Sequence, residues 1–266
     1  DAIGLCGTHL AAVNSSWRAA VAGRLAVWTV LEHEPEGSFG GKGSALGQFN
    51  YPCCVASLPA SAVCVVDANN DRLQIFSKEQ GVAPRIIGSR GKQPGQFDCP
   101  FCVACDGSSL YVADTGNHRV QKLRLADGAH LGTVGKADCT SGDGEGQFRH
   151  PWGMCVAAGV LYVCDSDNHR IVVLGTDLTW RYTFGRRGRD DGEFKYPTGV
   201  AAHGGELYVV DRCNHRVQAR CPRPAVPGPS VTRRRASLGR RSRRTAMGAC
   251  ALCAPSAARA ARLGNT

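Results

Sequence analysis

A phrase of eleven residues occurs three times in this chain, and its spacing limits the possible folds more than any other feature. "YVADTGNHRVQ" begins at Tyr111, "YVCDSDNHRIV" at Tyr162 and "YVVDRCNHRVQ" at Tyr208. The Asp of the phrase and a related Asp at position 67 follow one another at intervals of 46 to 51 residues. A fixed period in this range is typical of a chain built from repeated supersecondary units.

Two further landmarks keep step with this phrase. The segment "GQFNYP" begins at Gly47, and it returns as "GQFDCP", "GQFRHP" and "GEFKYP" at the same intervals. An apolar residue followed by Gly precedes each of these segments. The three landmarks together predict four repeats, at residues 37–88, 89–135, 136–185 and 186–218.

An additional, degenerate repeat is predicted at residues 1–36. The segment "GRLAVW" at 23–28 lies where "NDRLQIF" falls in the next unit, because Arg24 precedes Arg72 by 48 residues. Residues 1–22 would then be the first half of this repeat. The chain begins at Asp1 without a Met or a signal peptide, so we expect it to be part of a longer protein.

Within one unit the pattern is β throughout. The segments "CVAC" (102–105), "LYVAD" (110–114), "HRVQKLRL" (118–125) and "HLGTVG" (130–135) have alternating or β-branched character. Gly, Asn or Asp separates them, which indicates turns between strands. Four short antiparallel strands with this period predict an all-β fold, a β-propeller with four-stranded blades.

The invariant Asp and Arg of the phrase have a structural interpretation. Asp114 ends one strand and Arg119 begins the next, so the two side chains are expected to pair across the hairpin and to tie neighbouring blades. The Phe of each "GQF" or "GEF" segment is expected to fix the crossing between blades. The predicted structural clips are Asp67 with Arg72, Asp114 with Arg119, Asp165 with Arg170, and Asp211 with Arg216.

These motifs resemble the NHL repeat over about residues 37–218. The resemblance implies a β-propeller, commonly of six blades. A closed ring of six would need about 290 residues at this period, so the roughly five visible repeats predict an incomplete ring.

The net charge of +10 is concentrated at one end of the chain. Residues 219–266 contain eleven Arg and no Lys, Asp or Glu, whereas the other residues carry 21 basic and 22 acidic side chains. This Pro-, Arg- and Ala-rich segment predicts a disordered tail. Its runs "RRR" at 233–235 and "RRSRR" at 240–244 would also suit nuclear import or phosphate binding.

The fourteen cysteines are scattered through apolar, strand-like segments instead of forming paired metal-binding knuckles. They are interpreted as small buried hydrophobic residues in a reducing compartment. The chain has no run of 18 apolar residues, so no membrane span is expected. We therefore expect a cytoplasmic location, or a nuclear one if the basic tail acts as an import signal.

Catalytic and metal sites are not indicated. The histidines His118, His169 and His215 occupy one repeat position on successive blades, too far apart to share an ion. Peptidyl-hydroxyglycine amidating lyases have NHL-like repeats and zinc-binding His after the inner-strand proline. Here that position holds Cys53, Phe101, Trp152 and Thr198. No catalytic residue, metal or cofactor is predicted, and Cys54 and Cys102 are interpreted as small residues tolerated at the inner-strand start.

One face of the propeller is the expected binding surface. The hairpin loop between strands two and three and the crossover between blades emerge there, and variable loops on a rigid scaffold are common sites of recognition. The loop pairs that vary are Thr115-Gly116, Ser166-Asp167 and Arg212-Cys213. The predicted binding residues are Tyr51, Phe101, Arg149, His150, Trp152, Asp167, Lys195, Tyr196 and Arg212. Alternatively, the tyrosines pack at the mouth of the channel.

The sequence therefore leaves three functions open. The first is a non-catalytic, monomeric domain that binds a protein partner, as part of a larger protein such as a ubiquitin ligase. The second is a propeller that binds single-stranded RNA through interleaved aromatic and basic residues. A lyase is the least favoured alternative, because the inner-strand positions lack His.

Overall fold

The structure of the chain is a computed structural model that describes residues 39–77 and 83–220. The predicted degenerate repeat at 1–36 and the tail from residue 221 lie outside the described residues. The described part is all-β, as predicted, with short 3-10 turns at Ala68–Asn70, Ser166–Asn168 and Arg212–Asn214. Its strands form four separate antiparallel sheets, which are called blades 1 to 4 in chain order.

Blades 1 and 2 each contain four strands. Blade 1 consists of β1 (Pro52–Leu58), β2 (Ala62–Asp67), β3 (Arg72–Ser77) and β4 (Arg85–Ile87). Blade 2 consists of β5 (Cys102–Cys105), β6 (Ser109–Asp114), β7 (Arg119–Arg124) and β8 (His130–Gly135). The strands predicted from the repeat pattern in blade 2 are all present.

Blade 3 has four strands and blade 4 has three. Blade 3 consists of β9 (Pro151–Ala157), β10 (Val160–Asp165), β11 (Arg170–Gly175) and β12 (Trp180–Phe184). Blade 4 consists of β13 (Pro197–His203), β14 (Glu206–Asp211) and β15 (Arg216–Arg220). The strand β15 thus extends into the first two residues that the sequence assigned to the tail.

The strands of each blade pair in chain order, and the blades pack in series through their first strands. In blade 2, for example, Asp114 lies opposite Arg119, and Val112 lies between Val103 and Gln121. The first strands β1, β5, β9 and β13 lie side by side, each against the next. This arrangement of four-stranded antiparallel sheets is a β-propeller, and the predicted fold class is confirmed.

Apolar side chains from facing sheets fill the space between blades. Leu110, Val112 and Val120 of blade 2 are fully buried, as are Leu161 and Val163 of blade 3. Alternation along each strand sends one set of side chains toward the preceding blade and the other set toward the following blade. Both sets are apolar in the middle blades, because both faces of those sheets are covered.

A Phe in each crossover closes the space between two blades. Phe97 is fully buried and packs on Gly88, where a Cβ atom would lie 2.2 Å from Phe97 Cε2. Gly88 also has a φ of +90°, so only glycine fits this position without strain. Gly185 and Phe194 repeat the arrangement in the crossover to blade 4. The predicted role of the Phe in the crossing is therefore seen in the packing.

Buried thiols occupy several strand positions, and the ten cysteines in the described segments are thiols and not disulfides. Burial raises the pKa of Cys64 to about 12, so this thiol stays protonated. Cys54 and Cys102 lie on neighbouring first strands with their Sγ atoms 3.5 Å apart. Cys102 Sγ accepts the N–H of Met154 in the next blade. Both thiols therefore contact a neighbouring blade. The sequence predicted only that a small residue is tolerated at these positions.

We expect Phe97→Ala to lower the free energy of unfolding by about 3–5 kcal/mol, because it removes a fully buried ring and leaves a cavity. Urea denaturation followed by tryptophan fluorescence measures this change. As a control, Leu131→Ala at a 44% exposed position should change stability by less than about 0.5 kcal/mol. Equal effects of the two variants would contradict the role assigned to Phe97.

Candidate functional site

The hairpin between the second and third strands has the same backbone geometry in each blade. A tight turn follows the Asp and ends at a residue with positive φ: Asp71 at 53°, His118 at 53°, His169 at 56° and His215 at 54°. Asp, Asn and His adopt this left-handed conformation more readily than most residues. The turn brings the Asp and the Arg five positions later to opposite sides of the hairpin.

All four predicted Asp–Arg pairs are formed. The Arg Nε donates to the Asp Oδ2 at 2.6 to 2.8 Å, and every Asp is fully buried. A buried carboxylate is stable only when its charge is paired and its lone pairs accept hydrogen bonds. The pairs are Asp67 with Arg72, Asp114 with Arg119, Asp165 with Arg170, and Asp211 with Arg216.

Each pair also binds the crossover that leads into its own blade. In blade 2 the second oxygen of Asp114 accepts the N–H of Asp98 at 2.8 Å. The Arg119 guanidinium donates to the carbonyls of Lys92, Gln93 and Gln96. The pair therefore clips the hairpin to the crossover, while direct bonds between blades come from neighbouring residues of the turn.

Two amide side chains complete the clip, and one of them was missed in the sequence. Asn117 and Gln121 both donate to Asp114, and Gln121 also donates to the Gln96 carbonyl. Gln74 and Gln218 make the same bonds in blades 1 and 4. The signal for this role was present, because Gln follows the Arg by two positions in three of the four repeats.

In blade 4, the clip keeps Asp211 ionised although this carboxylate is buried. Burial opposes the charge of Asp211, but hydrogen bonds from Asn214, the Lys195 N–H, Arg216 and Gln218 outweigh it. Together they lower the pKa of this carboxyl below its ordinary value. The ion pair of blade 4 is thus maintained at neutral pH.

The first variable loop position does not belong to the exposed face, contrary to the interpretation of the sequence. Thr115 and Ser166 are buried, and their hydroxyls donate to the carbonyls of Pro151 and Pro197 in the following blade. Both hydroxyls make the same contact with the next blade, so these two side chains are not available for recognition. Arg212, at the equivalent position of blade 4, is exposed.

The last residue of each turn forms a second tie between blades. Asp71 Oδ1 accepts the N–H of Cys99, and His118 Nδ1 accepts the N–H of His150. His169 Nδ1 accepts the N–H of Tyr196 at 3.1 Å. The repeated His is therefore a structural hydrogen-bond acceptor in two described junctions.

The two histidines that accept an N–H from the next blade, His118 and His169, are neutral. Burial, followed by the neighbouring His150, lowers the pKa of His118. Burial and the nearby Arg187 lower the pKa of His169. A neutral ring is required, because Nδ1 can accept a hydrogen bond only when it carries no proton.

Four of the predicted binding residues form a continuous row across the blades. The ring of Tyr51 meets Phe101 edge-on at 6.4 Å, and Phe101 stacks on Trp152 at 4.5 Å with an interplanar angle of 19°. The Arg212 guanidinium lies 5.5 Å from the centre of the Trp152 ring. We call Tyr51, Phe101, Trp152 and Arg212 the aromatic row. Tyr51 is 61% exposed.

The other predicted binding residues form two smaller groups beside the row. His150 Nδ1 donates to Asp167 Oδ2 at 2.7 Å, and Tyr196 meets the His169 ring edge-on at 4.5 Å. The Arg149 side chain is exposed, and that of Lys195 is partly buried. The N–H groups of Arg149 and Lys195 donate to the Asp of the clip. The structure thus places all nine residues near the hairpin and crossover loops, but in separate groups.

No three or more His, Cys, Asp or Glu side chains in residues 39–77 and 83–220 are arranged to hold a metal ion. In the same residues, no helix has the length and apolar character needed to cross a bilayer.

Repeated blades, the Asp–Arg clip and the His tie define a propeller made of sequence repeats. A family model described as NHL repeat matches residues 148–174 and 194–219, each beginning at the crossover Phe and ending in the third strand. The predicted resemblance is confirmed, and the chain contains NHL repeats. NHL repeat-containing protein 2 of Gallus gallus is 36% identical over 75 residues, which cover 27% of this chain and 10% of that protein.

The comparison with solved structures supports the fold alone. An auxiliary nutrient binding protein from Bacteroides ovatus superposes with a TM-score of 0.52 at 17% sequence identity. The match covers 68% of this chain and 50% of that chain. The chain therefore spans about a tenth of the curated relative and half of this structural neighbour.

We expect Asp114→Ala to lower the free energy of unfolding by about 3–5 kcal/mol, because the Arg119 charge would remain buried without a partner. Asp127→Ala is the matched control. It breaks an exposed pair with Arg124 at the similar distance of 2.8 Å, for an expected loss of less than about 1 kcal/mol. Urea denaturation measures both, and equal losses would contradict the central role of the clip.

The His ties predict a loss of stability in mild acid. The pKa values of His118 and His169 lie below the unfolded value of about 6.5, so the unfolded state binds more protons as the pH falls through that value. The free energy of unfolding should therefore fall from pH 7.5 to 5.5.

The double variant His118→Asn/His169→Asn tests this prediction. The Asn side-chain oxygen also accepts an N–H but does not titrate in this range. Its free energy of unfolding should fall less than that of the wild type between the same pH values. An identical pH dependence of both proteins, measured by urea denaturation, would assign the effect to other groups.

Proposed function

We propose that this propeller is a non-catalytic protein-interaction module and that the aromatic row is the centre of its contact surface. The supporting observation is the row itself, in which Tyr51, Phe101, Trp152 and Arg212 from four blades lie in contact along one face. Aromatic and Arg side chains are the residue types most enriched among those that dominate the energetics of protein interfaces.

The backbone beneath the row is held in place before any partner binds. Phe101 and Trp152 each follow a proline at or just before the start of a first strand, and the crossover before that proline is bound by the Asp–Arg clip. A surface that is ordered in advance loses less conformational entropy on binding. This rigidity favours a recognition surface over a flexible loop.

The charge of the repeats favours a protein partner over RNA. Binding to nucleic acid depends strongly on contacts between basic side chains and phosphates. Outside residues 219–266 the chain carries 21 basic and 22 acidic side chains. The predicted binding residues likewise include the acidic Asp167 beside the basic Arg149, Lys195 and Arg212. We accordingly propose that the chain is the partner-binding part of a larger protein.

Selection from a random phage-displayed peptide library on the purified chain tests this function. The selected peptides should bind Trp152→Ala and Phe101→Ala at least about tenfold more weakly than the wild type, as expected for central interface residues. They should bind Leu131→Ala, which changes an exposed residue of β8, with unchanged affinity. Circular dichroism and urea denaturation verify that each variant is folded.

Two outcomes would overturn the proposal. The first is that Trp152→Ala retains full peptide binding, or that no peptide is enriched. The second is tight, salt-dependent binding of a random single-stranded RNA pool by a chain shortened to residue 220, with loss of that binding in Trp152→Ala. The second outcome would assign the row to RNA recognition.

A further inference from the structure

Arg212 is the charged member of the aromatic row, and its side chain is placed differently from those at the same position of other blades. Thr115 and Ser166, the equivalent residues of blades 2 and 3, donate to main-chain carbonyls of the following blade. The Arg212 guanidinium lies instead over the Trp152 ring of the preceding blade, 5.5 Å from its centre. The cation is therefore held at one end of the aromatic row.

The hydrogen-bond donors of this guanidinium are unused in the described part of the chain. Within residues 39–77 and 83–220, the Arg212 side chain forms no hydrogen bond and no ion pair. Contact with an aromatic ring uses the flat face of a guanidinium, so the N–H groups at its edge are left for an acceptor. Asp167, the acidic residue of the predicted binding surface, is bonded by His150 at 2.7 Å. Arg212 can therefore pair with a carboxylate of a bound partner through two parallel hydrogen bonds.

Charge is distributed unevenly along the aromatic row. At its blade 4 end, Lys195 lies next to Arg212, because the Lys195 carbonyl accepts the N–H of the residue that follows Arg212. Between blades 1 and 2, Asp71 accepts the N–H of Cys99, which comes two positions before the Phe of the row. Burial, followed by Asp71 and Asp98, raises the pKa of the Cys99 thiol, as expected beside two carboxylates. The row is thus basic at one end and acidic toward the other.

The spacing of the row fits a ligand in an extended conformation. Its neighbouring aromatic rings lie 4.5 and 6.4 Å apart, and the guanidinium lies 5.5 Å from the last ring. In an extended strand, alternate side chains point to the same face about 6.5 Å apart. In a polyproline II helix, the same face returns only after three residues, about 9.3 Å along the chain. Alternate side chains of an extended peptide therefore match successive members of the row.

We propose that the aromatic row binds an extended, acidic peptide segment of a partner protein. The segment would place apolar or aromatic residues at alternate positions against the three rings, and an Asp or Glu two positions further on against Arg212. This inference rests on the function proposed above and adds the chemical class of the ligand. A nucleic acid fits less well, because its evenly spaced phosphates would also lie against the acidic end of the row.

Selection of seven-residue peptides from a random phage-displayed library, on the wild type and on Arg212→Glu in parallel, tests the ligand class. Peptides enriched on the wild type should contain Asp or Glu two positions from an apolar or aromatic residue. Peptides enriched on Arg212→Glu should contain Lys or Arg at that position, since the variant reverses the charge at the end of the row. Circular dichroism verifies that the variant is folded.

Fluorescence anisotropy with the best enriched peptide measures the contribution of the ion pair. Arg212→Gln should bind this peptide about fivefold more weakly than the wild type, the order expected for a partly exposed charged hydrogen bond. Replacing the acidic residue of the peptide by its amide should cost the same factor on the wild type and nothing further on the variant. Arg181→Gln is the matched control, because it removes the same charge from an exposed position of β12 and should leave the affinity unchanged.

Different results would contradict this inference and the function on which it rests. Peptides that lose affinity for Trp152→Ala but show no acidic preference would contradict only the ligand class. The same holds if Arg212→Gln and Arg181→Gln bind the acidic peptide equally well. If no peptide is enriched, or if the enriched peptides bind Trp152→Ala as tightly as the wild type, the proposed function fails and the ligand class fails with it.

Discussion

The buried ion pair between Asp and Arg, present once in each blade, is the interaction on which the rest of the structure depends. A carboxylate removed from water must have all its oxygen lone pairs occupied, and Asp114 obtains this from Arg119, Asn117, Gln121 and one crossover N–H. The guanidinium in turn binds three crossover carbonyls. The clip therefore holds the hairpin, the crossover and the start of the first strand of the same blade in the same relative positions in every repeat.

Neighbouring turn residues use this fixed position to join one blade to the next. The hydroxyl of Thr115 or Ser166 and the ring of His118 or His169 bind main-chain groups of the following blade. The apolar faces between blades add the larger part of the stabilisation, because they are wide and dry, while the polar ties fix how the sheets align. The hairpin turn of each repeat thus determines how each blade is aligned with the next.

Much of this structure could be predicted from the period of the sequence, because a repeat displays its strand pattern and its invariant charges several times over. The strands of blade 2 and the four Asp–Arg pairs are examples. The burial of Thr115 and Ser166 could not be predicted, since it depends on which main-chain group of the next blade lies within reach. The contact between Phe101 and Trp152 was equally hidden, because it joins residues 51 positions apart. Gln121 is the opposite case. A Gln two positions after the Arg recurs in three of the four repeats, but its bond to the buried Asp was not predicted.

The ties between blades recognise the backbone and not the side chain of the residue before each proline. Cys99, His150 and Tyr196 all donate through their N–H, although their side chains differ in size and polarity. Only proline, which lacks this hydrogen, is barred from donating there. The φ of this residue is positive, 48° to 53° in these three cases, which disfavours β-branched residues. Other side chains can replace one another there and change what the loop surface presents, while the bond that joins the blades is kept.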